Sequence, residues 1–194
     1  MARRVIIVGN GSSLIGGRRG EAIDGHDEIV RFNLFKTGPF SRDVGSRTTI
    51  WFNNRDASTP TIRAMLREHR FREIHIHTWT GTEAAAASFR EALAAEGSAT
   101  PVHEVAKSQI AEMREFLGLP YSLFSTGAIG VWSLLKRYER VTLTGFDWWD
   151  SPARMHYYSD RDPFPDPSKG HQPRTEKVFF DKLRAMGRIG FLGE

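Results

Sequence analysis

Two histidines in one proline- and aromatic-rich stretch are the side chains of this sequence best suited to proton transfer. His156 lies in a Met-His-Tyr-Tyr segment, and His171 precedes Glu176 by five positions. That carboxylate would lie near enough to orient the imidazole, or would act as an acid at a helix N-terminus. Imidazole has an ordinary pKa of about 6.5, which suits a general base near neutral pH. The chain has no cysteine, which excludes thiolate catalysis, disulfides and iron–sulfur clusters.

Short polar side chains and glycines follow several apolar runs, where backbone amides suit a phosphate or a sugar. The spacing of Gly9, Gly11 and Leu14 fits neither the dinucleotide-binding fingerprint nor a P-loop. A carboxamide can donate to a phosphate and accept from a ribose hydroxyl, and a helix N-terminus attracts a negative group. The candidate binding residues are Asn10, Ser13, Asn33, Ser125, Thr126, Gly127, Gly145 and Phe146. Taken singly, each is equally typical of an ordinary turn, helix cap or packing position.

Two groups of residues have a spacing that could hold a metal ion. Asp160 and Asp162 form an Asp-x-Asp pair, but they lie in a loop rich in proline and aspartate rather than after an apolar strand. His75 and His77 alternate on one face of a predicted strand, although the sequence offers no evident third ligand. We therefore predict no metal site, and a packed or solvated strand face at the two histidines.

The elements that position these residues are short apolar strands alternating with helical segments. Strands are predicted over 5–8, 28–32, 48–52, 73–79 and 141–146, and helices over 60–69, 83–96, 108–117, 126–138 and 174–186. This alternation predicts a single-domain α/β layered fold, Rossmann-like, with a mostly parallel central sheet flanked by helices. Ligands in such sheets bind beyond the carboxyl ends of the strands, which selects the turns after Val8, Phe32 and Phe146.

One stretch, residues 147–172, breaks the alternation with four prolines and several aromatic residues. Long loops without secondary structure inside a compact domain are usually lids or binding loops, so we expect an active-site loop within one domain of residues 1–194. The formal net charge of +4 suits an anionic small molecule or surface but does not predict a nucleic-acid partner. No apolar run approaches the roughly 20 residues of a spanning helix, so a cytoplasmic protein is expected.

In their order and spacing these motifs resemble the sialyltransferases of glycosyltransferase family 29. Residues 8–33 resemble the family's large motif and residues 125–146 its small motif. His156-Tyr157-Tyr158 resembles the third motif, and His171 with Glu176 resembles the very small motif. The resemblance implies a GT-A-like variant of the α/β fold. The chain departs from the family in having Val5 at the large-motif cysteine position and in being short between the large and small motifs, where acceptor-side elements lie.

The resemblance also implies an activity and a set of site residues. The activity is an inverting, metal-independent transfer of sialic acid from a CMP-sugar donor to a glycan hydroxyl, with no cofactor besides that donor substrate. His171 would be the general base, and His156 would stabilise the departing phosphate of CMP. Phosphate and ribose contacts would come from Asn10, Ser13 and Asn33, contacts to the donor sugar and its carboxylate from Ser125, Thr126 and Gly127, and the cytidine pocket from Gly145 and Phe146.

Several alternatives stay open at this point. The donor could be CMP-Kdo, the chain could mainly hydrolyse its CMP-sugar, or it could be a non-catalytic nucleotide-binding module, which the presence of both His156 and His171 disfavours. The expected acceptor is a bacterial lipooligosaccharide, capsule or other oligosaccharide. The mild positive charge would then favour peripheral contact with the anionic inner face of a membrane.

Overall fold

A parallel β-sheet forms the centre of the structure, a computed structural model that describes residues 3–147, 156–159 and 172–194. In these residues the sheet has seven strands in the order β5-β4-β3-β2-β1-β6-β7, all parallel. The strands are β1 (Val5–Val8), β2 (Glu28–Phe32), β3 (Ile50–Asn53), β4 (Glu73–Ile76), β5 (Val102–Glu104), β6 (Val141–Thr144) and β7 (Ile189–Phe191). The helices are α1 (Gly20–Asp24), α2 (Ser41–Val44), α3 (Pro60–Glu68), α4 (Thr82–Ala95), α5 (Ser108–Leu117), α6 (Thr126–Leu135) and α7 (Pro173–Ala185).

Helices cover both faces of the sheet, which explains why its central strands are continuous apolar runs rather than alternating ones. One face, with Ile7, Val30 and Phe52, packs against α5, α6 and α7. On the other face, Trp51 packs with α3 and α4, while Ile6 packs with α1, α2 and Tyr157. Burial on two sides of the sheet supplies the hydrophobic free energy that holds the loops at its edge in place.

The order of the strands reverses at β1. The chain runs outward from β1 through β2, β3 and β4 to β5, and then returns through α5 and α6 to place β6 on the other side of β1. In parallel α/β sheets the crevice at such a reversal, beyond the carboxyl ends of the strands, is where ligands bind. The topology therefore places the favoured ligand position between the loops that follow β1 and β6.

The predicted α/β fold with a parallel central sheet is confirmed. The strands predicted over 5–8 and 28–32 and the helix over 108–117 have the observed bounds, and the other predicted elements differ by a few residues at their ends. The strand predicted over 141–146 ends at Thr144, because Gly145 turns the backbone into the left-handed region with φ of 69°. Four short elements, α1, α2, β5 and β7, were not predicted, since three to five residues carry too little periodicity.

Candidate active site

The loops after β1 and β6 are joined by their backbones. The amide of Gly9 donates to the Thr144 carbonyl at 2.8 Å, and the amide of Gly11 donates to the Gly145 carbonyl at 2.9 Å. A Cβ atom on Gly9 would overlap the carbonyl oxygen of Gly145, so no larger residue fits this crossing. The glycines of the first motif therefore have a packing role: they let the two strand ends approach each other at the reversal point.

Asn10 and Asn33 meet at the carboxyl edge, as the sequence predicted. The Asn10 Nδ2 donates to the carbonyl of Phe32 at 3.3 Å and to that of Leu34 at 3.1 Å, and so ties the β1 loop to the β2 loop on both sides of Asn33. Asn33 has φ of 47°, and its Oδ1 accepts from the Asn54 amide at 3.1 Å. These contacts use the amino group of Asn10 and the oxygen of Asn33, and they fix the orientation of each carboxamide.

Ser13 contacts Asp147, which is not among the residues predicted for the site. The carboxylate of Asp147 accepts from the Ser13 amide at 2.9 Å and also from the Ser13 hydroxyl. Gly11 leaves the space for this carboxylate, since a Cβ atom there would overlap it. Asp147 thus fixes the short 3₁₀ turn at Ser12–Leu14, and its position directly after the β6 motif was the signal that could have identified it.

The start of α6 is held by the start of α7. Ser125 caps α6, its hydroxyl accepting from the Ala128 amide at 3.2 Å. The Ser125 hydroxyl in turn donates to Glu176 Oε2 at 3.0 Å, and its amide donates to Oε1. Burial raises the pKa of Glu176 to about 7, although the hydrogen bonds from Ser125 act in the opposite direction. Glu176 lies in the first turn of α7, which matches its predicted role as an acid at a helix N-terminus.

An aromatic residue lies between α6 and the sheet at this edge. The ring of Phe146 packs edge-on against Phe32 and beside Phe180, and a Cβ atom on Gly127 would come within 3.2 Å of it. Thr126, the first residue of α6, is buried. Gly145 and Phe146 also line a cleft of about 310 Å³ between the β6 loop and α7. This cleft contains charged groups of both signs, from Arg19, Lys177, Asp181, Arg184 and Glu194.

His156 is brought to the same edge by its neighbour. The amide of Tyr157 donates to the Asn10 carbonyl at 2.9 Å, and the buried Tyr157 hydroxyl donates to the Lys36 carbonyl at 2.5 Å. The imidazole of His156 stacks on Tyr158, with ring centroids 5.3 Å apart and planes 3° apart. The backbone of Tyr157 therefore brings this segment to the loop after β1, and the role of His156 stays a prediction. His171, Asp160 and Asp162 lie outside the described residues, as does most of the predicted loop 147–172.

His75 and His77 do not form the metal pair that the sequence suggested for consideration. His75 stacks on Phe52, with ring centroids 4.5 Å apart, whereas His77 packs edge-on against Trp79. His75 instead lies close to Glu73 and His103, a group that is separated from β1 by strands β2 and β3. The carboxyl edge at β1, β2 and β6 therefore contains the predicted binding residues, and the histidine cluster belongs to a different part of the sheet.

The chain matches a family model and several curated sialyltransferases. Residues 1–188 match the family model for glycosyltransferase family 29 (sialyltransferase). Mouse alpha-N-acetylgalactosaminide alpha-2,6-sialyltransferase 2 is 46% identical over 48 residues, which is 25% of this chain and 13% of that protein. Human beta-galactoside alpha-2,6-sialyltransferase 1 is 34% identical over 76 residues, or 39% of this chain and 18% of that protein. The aligned segments thus span less than a fifth of these two relatives.

Solved structures of similar fold cover nearly the whole chain. A mammalian sialyltransferase in complex with Gal-beta-1-3GalNAc-ortho-nitrophenol has a TM-score of 0.67 at 23% identity, covering 98% of this chain and 69% of that one. The sialyltransferase CstII from Campylobacter jejuni, in complex with the substrate analogue CMP-3FNeuAc, has a TM-score of 0.62 at 15% identity, covering 97% of this chain and 80% of that one. At these identities the likeness establishes a shared fold.

Proposed function

The chain belongs to glycosyltransferase family 29, as its motifs predicted, and on that premise we propose that it transfers sialic acid from CMP-sialic acid to a hydroxyl of an oligosaccharide. The observation that carries this proposal is the family match over residues 1–188, together with the meeting of the motif residues at one edge of the sheet. One mouse relative, 48% identical over 48 residues, is named for CMP-N-acetylneuraminate and a beta-1,4-galactoside, and one similar structure holds CMP with a trisaccharide acceptor.

In this proposal the donor lies across the carboxyl ends of β1, β2 and β6. Asn10 and Asn33 present oriented carboxamides to the phosphate and ribose of CMP, with Ser13 beside them. The first amides of α6, at Thr126 and Gly127, point out of the helix N-terminus and suit the carboxylate of the donor sugar. Gly145 and Phe146 line the pocket for cytidine, where the aromatic ring offers a face or an edge to the base.

Glu176 makes this arrangement compatible with an anionic donor. Its carboxyl lies beside Ser125 at the same helix N-terminus, where a full negative charge would repel the sugar carboxylate. Because burial raises its pKa to about 7, the neutral carboxyl is readily accessible there at neutral pH. Donor binding would favour the neutral form further, so Ser125 can remain the cap of α6 while the sugar is bound.

The reaction proposed is an inverting displacement at the anomeric carbon, with no metal required. His171 accepts the proton of the acceptor hydroxyl as this oxygen bonds to the anomeric carbon, and the bond to CMP breaks with both electrons on the phosphate oxygen. His156, held next to Asn10 through Tyr157, donates to that phosphate as its charge grows. The assignment of His171 rests on the family pattern of His171 with Glu176, and that of His156 also on its place at the edge.

The acceptor and the location of the enzyme are finer proposals. We expect a lipooligosaccharide, a capsule or another oligosaccharide as acceptor. In the described part of the chain, no helix combines the length and the apolar character needed to cross a membrane. Cytoplasmic placement and peripheral contact with a membrane stay predictions from the sequence.

The test of the proposal follows CMP release from CMP-sialic acid and from CMP-Kdo, each with and without a lactose-type acceptor and with EDTA. Acceptor-dependent release that persists in EDTA supports a metal-independent transferase, whereas release independent of acceptor indicates a hydrolase. Faster release from CMP-Kdo would assign that sugar as donor, and loss of release in EDTA would implicate a metal. Absence of both CMP release and CMP binding would overturn the proposal and leave the fold without this function.

Removing the proposed base tests the mechanism separately. In His171→Ala, we expect transfer to fall by about 10²–10⁴-fold while CMP binding stays within a factor of two or so, because a general base acts on the acceptor and not on the donor. His26→Ala is the matched control, since it removes an imidazole from the turn after α1. Equal transfer rates in the two variants would remove the base assignment from His171.

A further inference from the structure

Three side chains with metal-binding atoms meet on the sheet face that packs against α5 and α6. His75 of β4 lies opposite His103 of the edge strand β5, and Glu73 precedes His75 by two residues on the same face of β4. The Glu73 Oε1 lies 3.7 Å from His75 Nε2, and its Oε2 lies 3.4 Å from His103 Nε2. One donor atom from each residue lies within 4.8 Å of both others.

These separations are close to those of a tetrahedral metal site. With metal–nitrogen and metal–oxygen distances of about 2.0–2.2 Å, two tetrahedral ligand atoms lie roughly 3.4 Å apart. The Glu73 pairs lie at 3.7 Å to His75 and 3.4 Å to His103 through different carboxylate oxygens, and side-chain rotations that bring both Nε2 atoms to one oxygen would complete the site. His103 is half exposed, which leaves an entry path for the ion and room for a water molecule as fourth ligand.

The environment of His75 independently indicates a missing partner. His75 is 8% exposed, and its Nε2 is buried without a hydrogen bond to any of the residues that the structure describes. The imidazole is held by stacking on Phe52, with planes 12° apart, so this nitrogen stays directed at the side of Glu73. A buried imidazole nitrogen without a partner costs free energy, and a metal ion would satisfy it.

Two arginines determine which kind of ion the cluster would accept. Arg137 donates to Glu73 Oε1 at 2.8 Å, and Arg72 lies 3.8 Å from the same oxygen, so Oε2 is the atom left for an ion. The positive charges oppose any cation, which disfavours ions that bind through charge attraction to oxygen. An ion that gains strongly from imidazole nitrogens is required instead. From this geometry we propose that Glu73, His75 and His103 bind one transition-metal ion, such as Zn²⁺ or Ni²⁺, which fastens edge strand β5 to β4.

The experiment titrates metal-free protein, prepared by dialysis against EDTA and then buffer, with zinc chloride and with nickel chloride in a calorimeter. We expect one ion per chain for the wild type and for His26→Ala, the matched control that removes an imidazole elsewhere. Binding in His103→Ala should be at least about 10-fold weaker, since loss of a direct ligand should cost no less than loss of an outer-shell partner. Zinc should raise the melting temperature of the wild type but not of His103→Ala.

His103→Gln serves as a second variant that keeps the size and polarity of an exposed strand residue while losing the imidazole. If either His103 variant binds zinc as tightly as the wild type, or if the wild type binds neither ion, the proposal is overturned. The result does not depend on the transferase reaction, because the site lies on β4 and β5 and its readouts are affinity and melting temperature.

Discussion

The two halves of the sheet differ in how their polar side chains are paired. At the β1, β2 and β6 edge, Asp147 accepts from Ser13, and Glu176 accepts from Ser125. At the other half, on β3, β4 and the residue after β4, four buried side-chain atoms have no hydrogen-bond partner among the described residues: Asn53 Nδ2, His75 Nε2 and both ring nitrogens of His77.

This difference distinguishes two kinds of functional region. The paired groups at the first edge hold loops in a fixed geometry, which is what electrostatic stabilisation of a reacting phosphate requires. The unpaired groups at the second lower the stability of the fold unless something else satisfies them. We therefore expect substitutions that separate the packed backbones of the first edge to cost stability. Neutralising the buried carboxyl of Glu176 there, or removing an unpaired group at the second edge, should cost little stability or increase it.

The largest expected effect is at the crossing of β1 and β6. In Gly9→Ala the new Cβ would overlap the Gly145 carbonyl oxygen, a backbone atom that cannot rotate away. The strand ends would have to separate, breaking the hydrogen bond from the Gly9 amide to Thr144. We expect a loss of about 3 kcal/mol or more in the free energy of unfolding, measured by urea denaturation.

Gly38→Ala is the control for this substitution. Gly38 does not have positive φ, and a Cβ atom there meets no described atom within 4 Å. Its free energy of unfolding should change by less than about 0.5 kcal/mol. If the two variants have similar free energies of unfolding, the ends of β1 and β6 can separate at little cost. That result would contradict the rigid geometry assigned to this edge.

Glu176 gives the first edge a pH dependence of defined sign. Its pKa is raised from 4.5 to about 7 by burial, so between these values the folded state binds more protons than the unfolded state. Stability contributed by this group is therefore present below about pH 4.5 and is lost as the pH rises to about 7. In Glu176→Gln, the neutral amide should remove this decline, gaining on the order of 3 kcal/mol relative to wild type between pH 4.5 and 8.

Urea denaturation at several pH values measures this gain, and Glu115→Gln, an exposed position on α5, is its control. The difference between Glu176→Gln and wild type should grow with pH, whereas that for Glu115→Gln should stay flat. A pH-independent difference at Glu176 would show that its carboxyl has the same pKa in the folded and unfolded states, which would contradict the effect of burial.

The sequence predicted the fold and the edge of the site because both follow from local patterns. Apolar runs and capping residues define β1, β2 and α5, and parallel topology then brings strand ends such as Asn10 and Asn33 together. What it could not predict depends on contacts between residues distant in the chain. Asp147 meets Ser13 across 134 positions, and Glu176 meets Ser125 across 51, with no repeating pattern to reveal either pair.

The cluster of Glu73, His75 and His103 also depends on a contact that the sequence could not predict. Alternation placed His75 and His77 on one face and found no third ligand. Glu73 lies on the same face of β4, and His103 comes from the register between β4 and β5, a three-residue strand that its own sequence did not predict. Its residues are exposed or half-buried, so neither a hydrophobic run nor a clear alternation marks it.

The smallest expected effect tests the second region at a residue outside the proposed metal site. His77 is 2% exposed, and burial lowers its pKa although a backbone contact with Val105 acts in the opposite direction. Within the described part of the chain, neither ring nitrogen of this imidazole has a hydrogen bond of ordinary geometry. Replacing it by a similarly sized apolar ring, His77→Phe, removes that desolvation cost and should stabilise the protein by about 1 kcal/mol at pH 8 in EDTA. The gain should increase at pH 5, because the unfolded wild type then takes up a proton that the folded state resists.

Urea denaturation of His77→Phe against His26→Phe, a half-buried control, measures both effects. A loss of stability at both pH values would show that the His77 nitrogens are satisfied in the folded protein, and the contrast between the two halves of the sheet would then rest on Asn53 and His75 alone.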